Sequence, residues 1–319
     1  MQKQDLVMKK VNRVSLALTV IIPVYNEAES VSSTVHEIDT YLANAGLDYE
    51  IIAVDDCSQD GTRDVLENID LPSLRCIHHS RNRGYGASLK TGIIHSSSPL
   101  IAITDADGTY PNSRIPELVS LMGDKDMVVG ARIGESVKIP LVRRPAKWFI
   151  GRLASYLARY KIPDVNSGLR VFRRESILPY LHLLPDGFSF TTTITLVMLN
   201  CGDEVVYEPI NYAARVGKSK IRPVRDTLNF IQLIVRTVLL FEPLRIFLPL
   251  SIGVFFLGIA VGIYSFFFTP KLMDMTMAVL MVGSLQLLSI GMLADMINRR
   301  LGQRIGFKAS KTSDISNNN

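Results

Sequence analysis

Asp105-Ala106-Asp107 directly follows the apolar run Pro99 to Thr104, so two carboxylates stand at the mouth of what reads as a buried strand. A metal-bound diphosphate could be held there, since hard cations take carboxylate oxygens. The position suits an open α/β sheet, which gathers ligands outside the carboxyl ends of its strands. The plainer reading is a capped turn, because Asp-x-Asp recurs by chance. The metal reading gains weight from other strand ends that carry suitable groups. Pro23 and Tyr25 can flank a base, while Glu27 or Asp55 can bond a base edge or ribose hydroxyls. Asp56 and Asp60 read instead as turn formers and helix caps, and His78, His79 and His182 as structural.

Alternating strands and helices must position these groups. Leu16 to Val24 is rich in β-branched residues and reads as a buried strand, followed by helical spacing through Val31, Val35, Ile38 and Leu42 up to Gly46. A second unit runs from Tyr49 to Val54, through Asp55-Asp56-Cys57-Ser58-Gln59-Asp60-Gly61-Thr62, into a helix over Thr62 to Asn68. A third strand, Leu74 to His78, leads through Arg81-Asn82-Arg83-Gly84-Tyr85-Gly86 to a helix ending near His95, and the fourth strand precedes Asp105. Asp126 to Gly130 and Glu204 to Tyr212 read as further strands. Such alternation predicts a mostly parallel, Rossmann-like sheet of the α/β class.

The 319 residues allow one sizeable α/β domain and something smaller. Mean hydropathy is +0.21, high for a soluble enzyme, and the apolar residues crowd after about residue 245. Phe247 to Phe268 lacks any charge, Met275 to Leu293 is a second such run, and each is long enough to cross a hydrocarbon core of about 30 Å as a helix. The pair reads as a transmembrane hairpin, with two buried helices of a soluble domain as the alternative. Arg236 and Arg245 precede the first span and Arg299, Arg300 and Arg304 follow the second, whereas the link carries only Lys271. The positive-inside tendency then puts both ends, and the front domain, in the cytoplasm. Met1 to Arg13 has no apolar core, so no signal peptide is expected. Pro145 to Tyr160 and Pro223 to Phe241 mix basic and apolar residues at helical spacing and suit the membrane interface, or else ordinary core-facing helices. The expected organisation is a basic tail over 1–15, the α/β domain over 16–221 with an interfacial helix at 145–160, and a second interfacial helix over 222–245. The hairpin follows over 246–298, with spans at 247–268 and 275–295, and then a polar cytoplasmic tail over 299–319, disordered from Lys308.

Cys57, Cys76 and Cys201 are scattered and read as reduced residues. A net charge of +5 favours an anionic membrane surface or phosphate headgroup over nucleic acid as partner. Two exposed spans could also support a homo-oligomer.

Val20-Ile21-Ile22-Pro23-Val24-Tyr25-Asn26-Glu27, Val54-Asp55-Asp56 with Asp60-Gly61-Thr62, Asn82-Arg83-Gly84-Tyr85-Gly86 and Asp105-Ala106-Asp107 together resemble the family 2 glycosyltransferases of GT-A fold. The resemblance is greatest to the polyprenyl-phosphate glycosyltransferases, such as dolichyl-phosphate mannosyltransferases and undecaprenyl-phosphate glucosyltransferases. It runs from about residue 18 to 221 and more loosely to the hairpin. Asp164-Val165-Asn166-Ser167-Gly168-Leu169-Arg170 is similar to that group's Asp-x-x-Ser-Gly-x-Arg stretch, and Arg215-Val216-Gly217-Lys218-Ser219-Lys220 to its Arg-x-x-Gly-x-Ser-Lys loop, one residue shorter here.

The resemblance implies a donor site of Pro23, Tyr25, Glu27, Asp55, Asp105, Ala106, Asp107, Arg215 and Lys220, for a UDP- or GDP-linked sugar. Asp105, Asp107 and Arg215 would carry the chemistry. Mg2+ or Mn2+ would sit on Asp107, with Asp105 as a second ligand or bonded to the ribose or a metal-bound water. Arg132, one of Arg143 and Arg144, Arg215 and Ser219 would meet the phosphate of a polyprenyl lipid. Family members commonly continue Asp-x-Asp-Leu-Gln-x-Pro, whereas this chain has Gly108-Thr109-Tyr110-Pro111, with Thr109 at the Gln position. The chain has no Glu-Asp pair opening a helix and no Gln-x-x-Arg-Trp stretch, which favours a lipid phosphate over a sugar hydroxyl as acceptor. Transfer to a lipid or glycan hydroxyl is the competing enzyme reading, and a non-catalytic membrane scaffold the other.

Overall fold

The computed structural model describes residues 18–133, 162–211, 242–268 and 274–316, with isolated positions 232, 235 and 239. The expected interfacial helix over 145–160 and nearly all of that over 222–245 lie outside these residues.

β1 (Leu18–Val24) is buried at every position. Its one polar side chain inside the sheet, Thr19, donates its hydroxyl to Glu50 at 2.7 Å. Such a continuous apolar run suits a central strand covered on both faces. β1 pairs in parallel with β2 (Tyr49–Asp55), from Leu18 opposite Tyr49 to Val24 opposite Asp55. On its other side it pairs in parallel with β4 (Leu100–Ile103). β3 (Leu74–His78) extends the sheet beyond β2, with His78 opposite Asp55. The connections are α1 (Val31–Asn44), α2 (Thr62–Glu67) and α3 (Tyr85–His95). The register brings the ends of β1 and β2 level, so the loops after both strands open at one edge of the sheet.

After β4 come α4 (Ile115–Ser120) and β5 (Met127–Ala131), then β6 (Arg170–Arg173), α5 (Arg174–Ile177), α6 (Phe190–Cys201) and β7 (Val205–Pro209). The seven-stranded order is β3-β2-β1-β4-β6-β5-β7. β6 runs antiparallel to both of its neighbours, while every other pairing is parallel. The sequence pattern predicts neither β6 nor α6. β6 has an arginine at each end, which hides its strand pattern, and α6 is buried at ten positions including Thr191, Thr192, Thr193 and Thr195, so it shows no helical stripe.

The sheet and its helices form one compact unit, and the C-terminal helices belong to a second. In that second unit, α7 (Leu244–Phe268, 25 residues) contains an 18-residue stretch of mean hydropathy 2.5, and Met275–Asn298 (24 residues) contains one of 2.0. The latter stretch lies within α8 (Asp274–Ser316). Small residues join the two helices: Ser251 on α7 donates to the Ser284 carbonyl at 2.8 Å, and Gly291 on α8 lies against Phe247. Close approach through small side chains is how apolar helices associate where hydrophobicity gives no drive. α8 continues as a helix to Ser316, into the stretch expected as a polar tail. No proline interrupts the run after Asp274, and its Lys, Arg, Gln and Ala residues favour helix.

Candidate active site

The loops after β1 and β2 are laced to each other. Asn26 and Cys57, the turn residues just past the two strands, have φ of 56° and 64°, a left-handed conformation that side chains other than Asn and Gly seldom take. The Asn26 amide donates to the Ser58 hydroxyl at 2.9 Å, and the Gln59 amide to the Asn26 carbonyl oxygen of the side chain, also at 2.9 Å. Asp60 accepts from the Ala28 amide at 3.2 Å and from the Thr62 hydroxyl, as a turn former should. Of the expected nucleotide contacts, Pro23 is buried inside β1, Tyr25 is 45% exposed, and Glu27 is half-buried. Asp55 is buried, and its two oxygens accept from the Ser58 amide at 3.0 Å and meet His78 Nδ1 at 3.2 Å. Its carboxylate thus holds the loop together at the sheet edge.

The expected acid pair stands just past β4. Ala106 between the two acids is buried, and its carbonyl accepts the Thr34 hydroxyl of α1 at 3.1 Å. Asp105 Oδ1 accepts the Tyr85 hydroxyl at 3.0 Å. Burial, reinforced by the neighbouring Asp105 carboxylate, holds the Tyr85 phenol well above its ordinary pKa, so it remains a donor. Asp107 Oδ1 accepts the Thr109 hydroxyl at 2.6 Å and its amide at 3.2 Å. Thr109 is itself buried, so this bond is shielded from water. Gly168 closes the site from the far side: a Cβ there would lie 3.0 and 3.1 Å from the Asp105 oxygens, and its amide donates to the Tyr110 hydroxyl at 2.6 Å.

The loop before α3 is built on Asp56. Its carboxylate accepts the amides of Arg83 at 2.8 Å and Gly84 at 2.7 Å, and meets His79 Nδ1 at 2.7 Å. His79 Nε2 in turn meets the Thr91 hydroxyl at 2.9 Å. Asp56 and His79 therefore shape the backbone that delivers Tyr85 to Asp105.

Arg132, expected to meet the acceptor phosphate, lies just beyond β5 and grips Asp164 with both arms of its guanidinium, Nε to Oδ2 at 2.7 Å and Nη2 to Oδ1 at 2.9 Å. Burial alone would raise the Asp164 pKa, but the Arg132 guanidinium outweighs it and holds the carboxyl below its usual range. Two residues further on, Asn166 accepts the Thr191 hydroxyl at 2.7 Å. Arg170 is fully buried, and it donates to the Ser167 carbonyl, to the Thr191 carbonyl at 3.1 Å and to the Thr195 hydroxyl at 2.9 Å. Those bonds fix the loop that carries Gly168 against Asp105. The sequence does not mark Tyr85, Gly168 or Arg170 as site residues, although all three sit in motifs it displays; that Tyr85 and Gly168 lie against Asp105, and that Arg170 anchors the Gly168 loop, arises only from folding. Arg143, Arg144, Arg215, Ser219 and Lys220 lie outside the described residues.

The model of the family described as Glycosyl transferase family 2 matches residues 19–180, and that of the GtrB C-terminal hairpin matches residues 242–299. The chain is 29% identical to a dolichyl-phosphate hexose transferase of Haloferax volcanii, across 65% of this chain and 87% of that one. It is 26% identical to an undecaprenyl-phosphate mannosyltransferase of Micrococcus luteus, across 63% of this chain and 86% of that one. Among solved structures, glucosyl-3-phosphoglycerate synthase from Mycobacterium tuberculosis in complex with Mn2+ and UDP-glucose superposes with a TM-score of 0.54 at 16% identity, covering 70% of this chain and 78% of that one. At that identity the likeness shows the fold, which is GT-A with a mixed, mostly parallel sheet. The apolar helix pair matched by the hairpin family associates the protein with a membrane. Since the family match spans just over half of the 319 residues and takes in strands β2 to β6, nearly all of β1 and the acid pair, the chain belongs to glycosyl transferase family 2.

Proposed function

We propose that this glycosyltransferase moves one sugar, with inversion, from a nucleotide-diphosphate sugar to a polyprenyl phosphate, giving a polyprenyl-phosphate sugar. The observation that carries the reading is the Asp105-Ala106-Asp107 pair at the end of β4, in a family 2 unit joined to a GtrB-type hairpin on one chain. The two curated relatives act, by their names, on dolichyl or undecaprenyl phosphate.

A divalent cation fits the residues present. Asp105 and Asp107 offer hard oxygen donors, each oriented by a hydroxyl from Tyr85 or Thr109. Among the described residues no three His, Cys, Asp or Glu side chains converge as a complete cage. Mg2+ and Mn2+ sites of this kind use one or two carboxylates and take their remaining oxygens from substrate phosphates. When bound, such a cation would offset charge on the departing nucleoside diphosphate.

The protein's own part is to bind, orient and neutralise. Tyr25, Glu27 and Asp55 with Pro23 would frame the nucleotide, whether uridine- or guanosine-based, at the laced ends of β1 and β2. The lipid phosphate, with a second pKa of about 6, is largely dianionic at neutral pH and needs no general base. It would attack the anomeric carbon, forming the new C–O bond as the bond to the nucleotide phosphate breaks and its electron pair leaves with the nucleoside diphosphate. Arg132, pre-oriented by Asp164, would work with Arg143 or Arg144, Arg215, Ser219 and Lys220 to hold two anions together. The positive-inside pattern of Arg236, Arg245, Arg299, Arg300 and Arg304 supports a two-span anchor with the catalytic unit on the cytoplasmic face.

The test is a panel of labelled nucleotide sugars assayed with undecaprenyl phosphate, dolichyl phosphate and the corresponding dephosphorylated alcohols. Transfer to the phosphates alone is expected. Transfer to the alcohols would favour a hydroxyl acceptor and refute this reading.

A further inference from the structure

At 83% exposure, Phe188 is the most exposed large apolar side chain among the described residues, above any residue of the two apolar helices. A single exposed phenylalanine needs no explanation by itself. This one, however, sits on a built seat. Its ring stacks on Tyr85 with centroids 5.6 Å apart and planes 19° apart. The Tyr85 hydroxyl is the one that donates to Asp105 at 3.0 Å, so the exposed ring is separated from the acid by one side chain.

The turn that carries Phe188 is docked on the start of α3. The Ala87 amide donates to the Asp186 carbonyl at 3.0 Å, and Lys90 pairs with the Asp186 carboxylate at 2.7 Å. A Cβ on Gly84 or Gly86 would collide with the backbone of Asp186 or Pro185, so the approach exists only because both positions are glycine. The Tyr85 hydroxyl is committed to Asp105 and the Asp186 carboxylate to Lys90. What the turn offers beside the acid pair is therefore an aromatic face, already ordered and backed by a second ring. Such a face gains by covering its open side with apolar surface.

We propose that Phe188 seats the first isoprene units of the lipid acceptor, holding them beside Asp105 while the attached phosphate enters the site. This rests on the acceptor assigned under Proposed function. An isoprene unit is flat, apolar and free of hydrogen-bonding groups, which matches what the turn presents; a sugar ring would ask for polar partners as well.

The full-length protein in detergent, with undecaprenyl phosphate and nucleotide sugar varied separately, decides the matter. For Phe188→Ala the KM for the lipid phosphate should rise about tenfold, the scale of losing one aromatic contact, with the KM for nucleotide sugar within about twofold of the parent. Phe188→Leu, which keeps apolar bulk, should recover most of the loss. A two-isoprene prenyl phosphate should show the same rise, since only the first units are held. An unchanged lipid KM, or a rise confined to the nucleotide sugar, overturns the proposal. Failure of the unsubstituted protein to use any polyprenyl phosphate would overturn the acceptor reading and this inference together, and is seen before any variant is compared.

Discussion

Thr109 donates its hydroxyl to Asp107 Oδ1 across 2.6 Å from a buried position. A buried hydroxyl on one carboxylate oxygen sets the direction of the other, which is how a group behind a ligand tunes a cation site. Thr109→Val preserves shape and removes the donor. The concentration of Mn2+ or Mg2+ giving half-maximal transfer should then rise about tenfold, with turnover at saturating cation little changed. A titration that overlays the parent would show that Thr109 does not orient Asp107.

Gly168 faces Asp105 so closely that an added Cβ would stand 3.0 and 3.1 Å from the two carboxylate oxygens and 3.1 Å from the Tyr110 ring. Gly168→Ala should push the carboxylate off the Tyr85 hydroxyl. A shift of a fraction of an ångström at a reacting centre is expected to lower kcat by about 10- to 100-fold. Thermal unfolding should move far less, and a stability loss without a loss of kcat would contradict the assignment.

Gly86 lies against the Pro185 carbonyl, and a methyl group there would overlap backbone rather than a flexible side chain. Gly86→Ala should therefore destabilise the sheet unit by about 2–3 kcal/mol through overpacking, read as a lower denaturant midpoint. Because the same contact seats Phe188, the variant should also lose affinity for the lipid acceptor. Parent-like unfolding would mean that the turn at 185–188 moves aside freely.

Asp203, after α6, has a buried Oδ2 with no hydrogen-bond partner among the described residues. Burial, with a smaller push from Asp126 and against the Tyr180 bond, raises its pKa to about 6. The folded state then binds the proton more tightly than the unfolded chain, so stability falls as pH rises from about 4 to about 6 and stays lower above that. Asp203→Asn removes this dependence. Its melting temperature should exceed the parent's at pH 8 and lose that advantage by pH 4; a constant difference across the range would show that Asp203 does not titrate in this window.

The parts of this protein legible in its sequence are those whose signal is local. Apolar runs that end in acids mark β1, β2 and β4, because a buried strand must be apolar throughout and a ligand edge must not be. The two apolar helices declare themselves by lacking charge over a membrane's thickness. Asp105 and Asp107 were readable for the same reason, being adjacent to the strand that presents them.

Tertiary structure decided what surrounds those acids. Tyr85 comes from the start of α3 and Gly168 from the loop before β6, and neither has a sequence feature that points to Asp105. The insertion of β6 antiparallel between β4 and β5 was likewise hidden, since strand direction depends on which partner offers free backbone groups and not on the four residues Arg170–Arg173. The same holds for Arg170 itself, whose guanidinium lies buried because the Ser167 and Thr191 carbonyls and the Thr195 hydroxyl accept its hydrogen bonds. The chain's order determined that carboxylates meet a sheet edge; packing between distant segments decided how those carboxylates are aimed, because hydrogen-bond direction is a property of the neighbours and not of the acid.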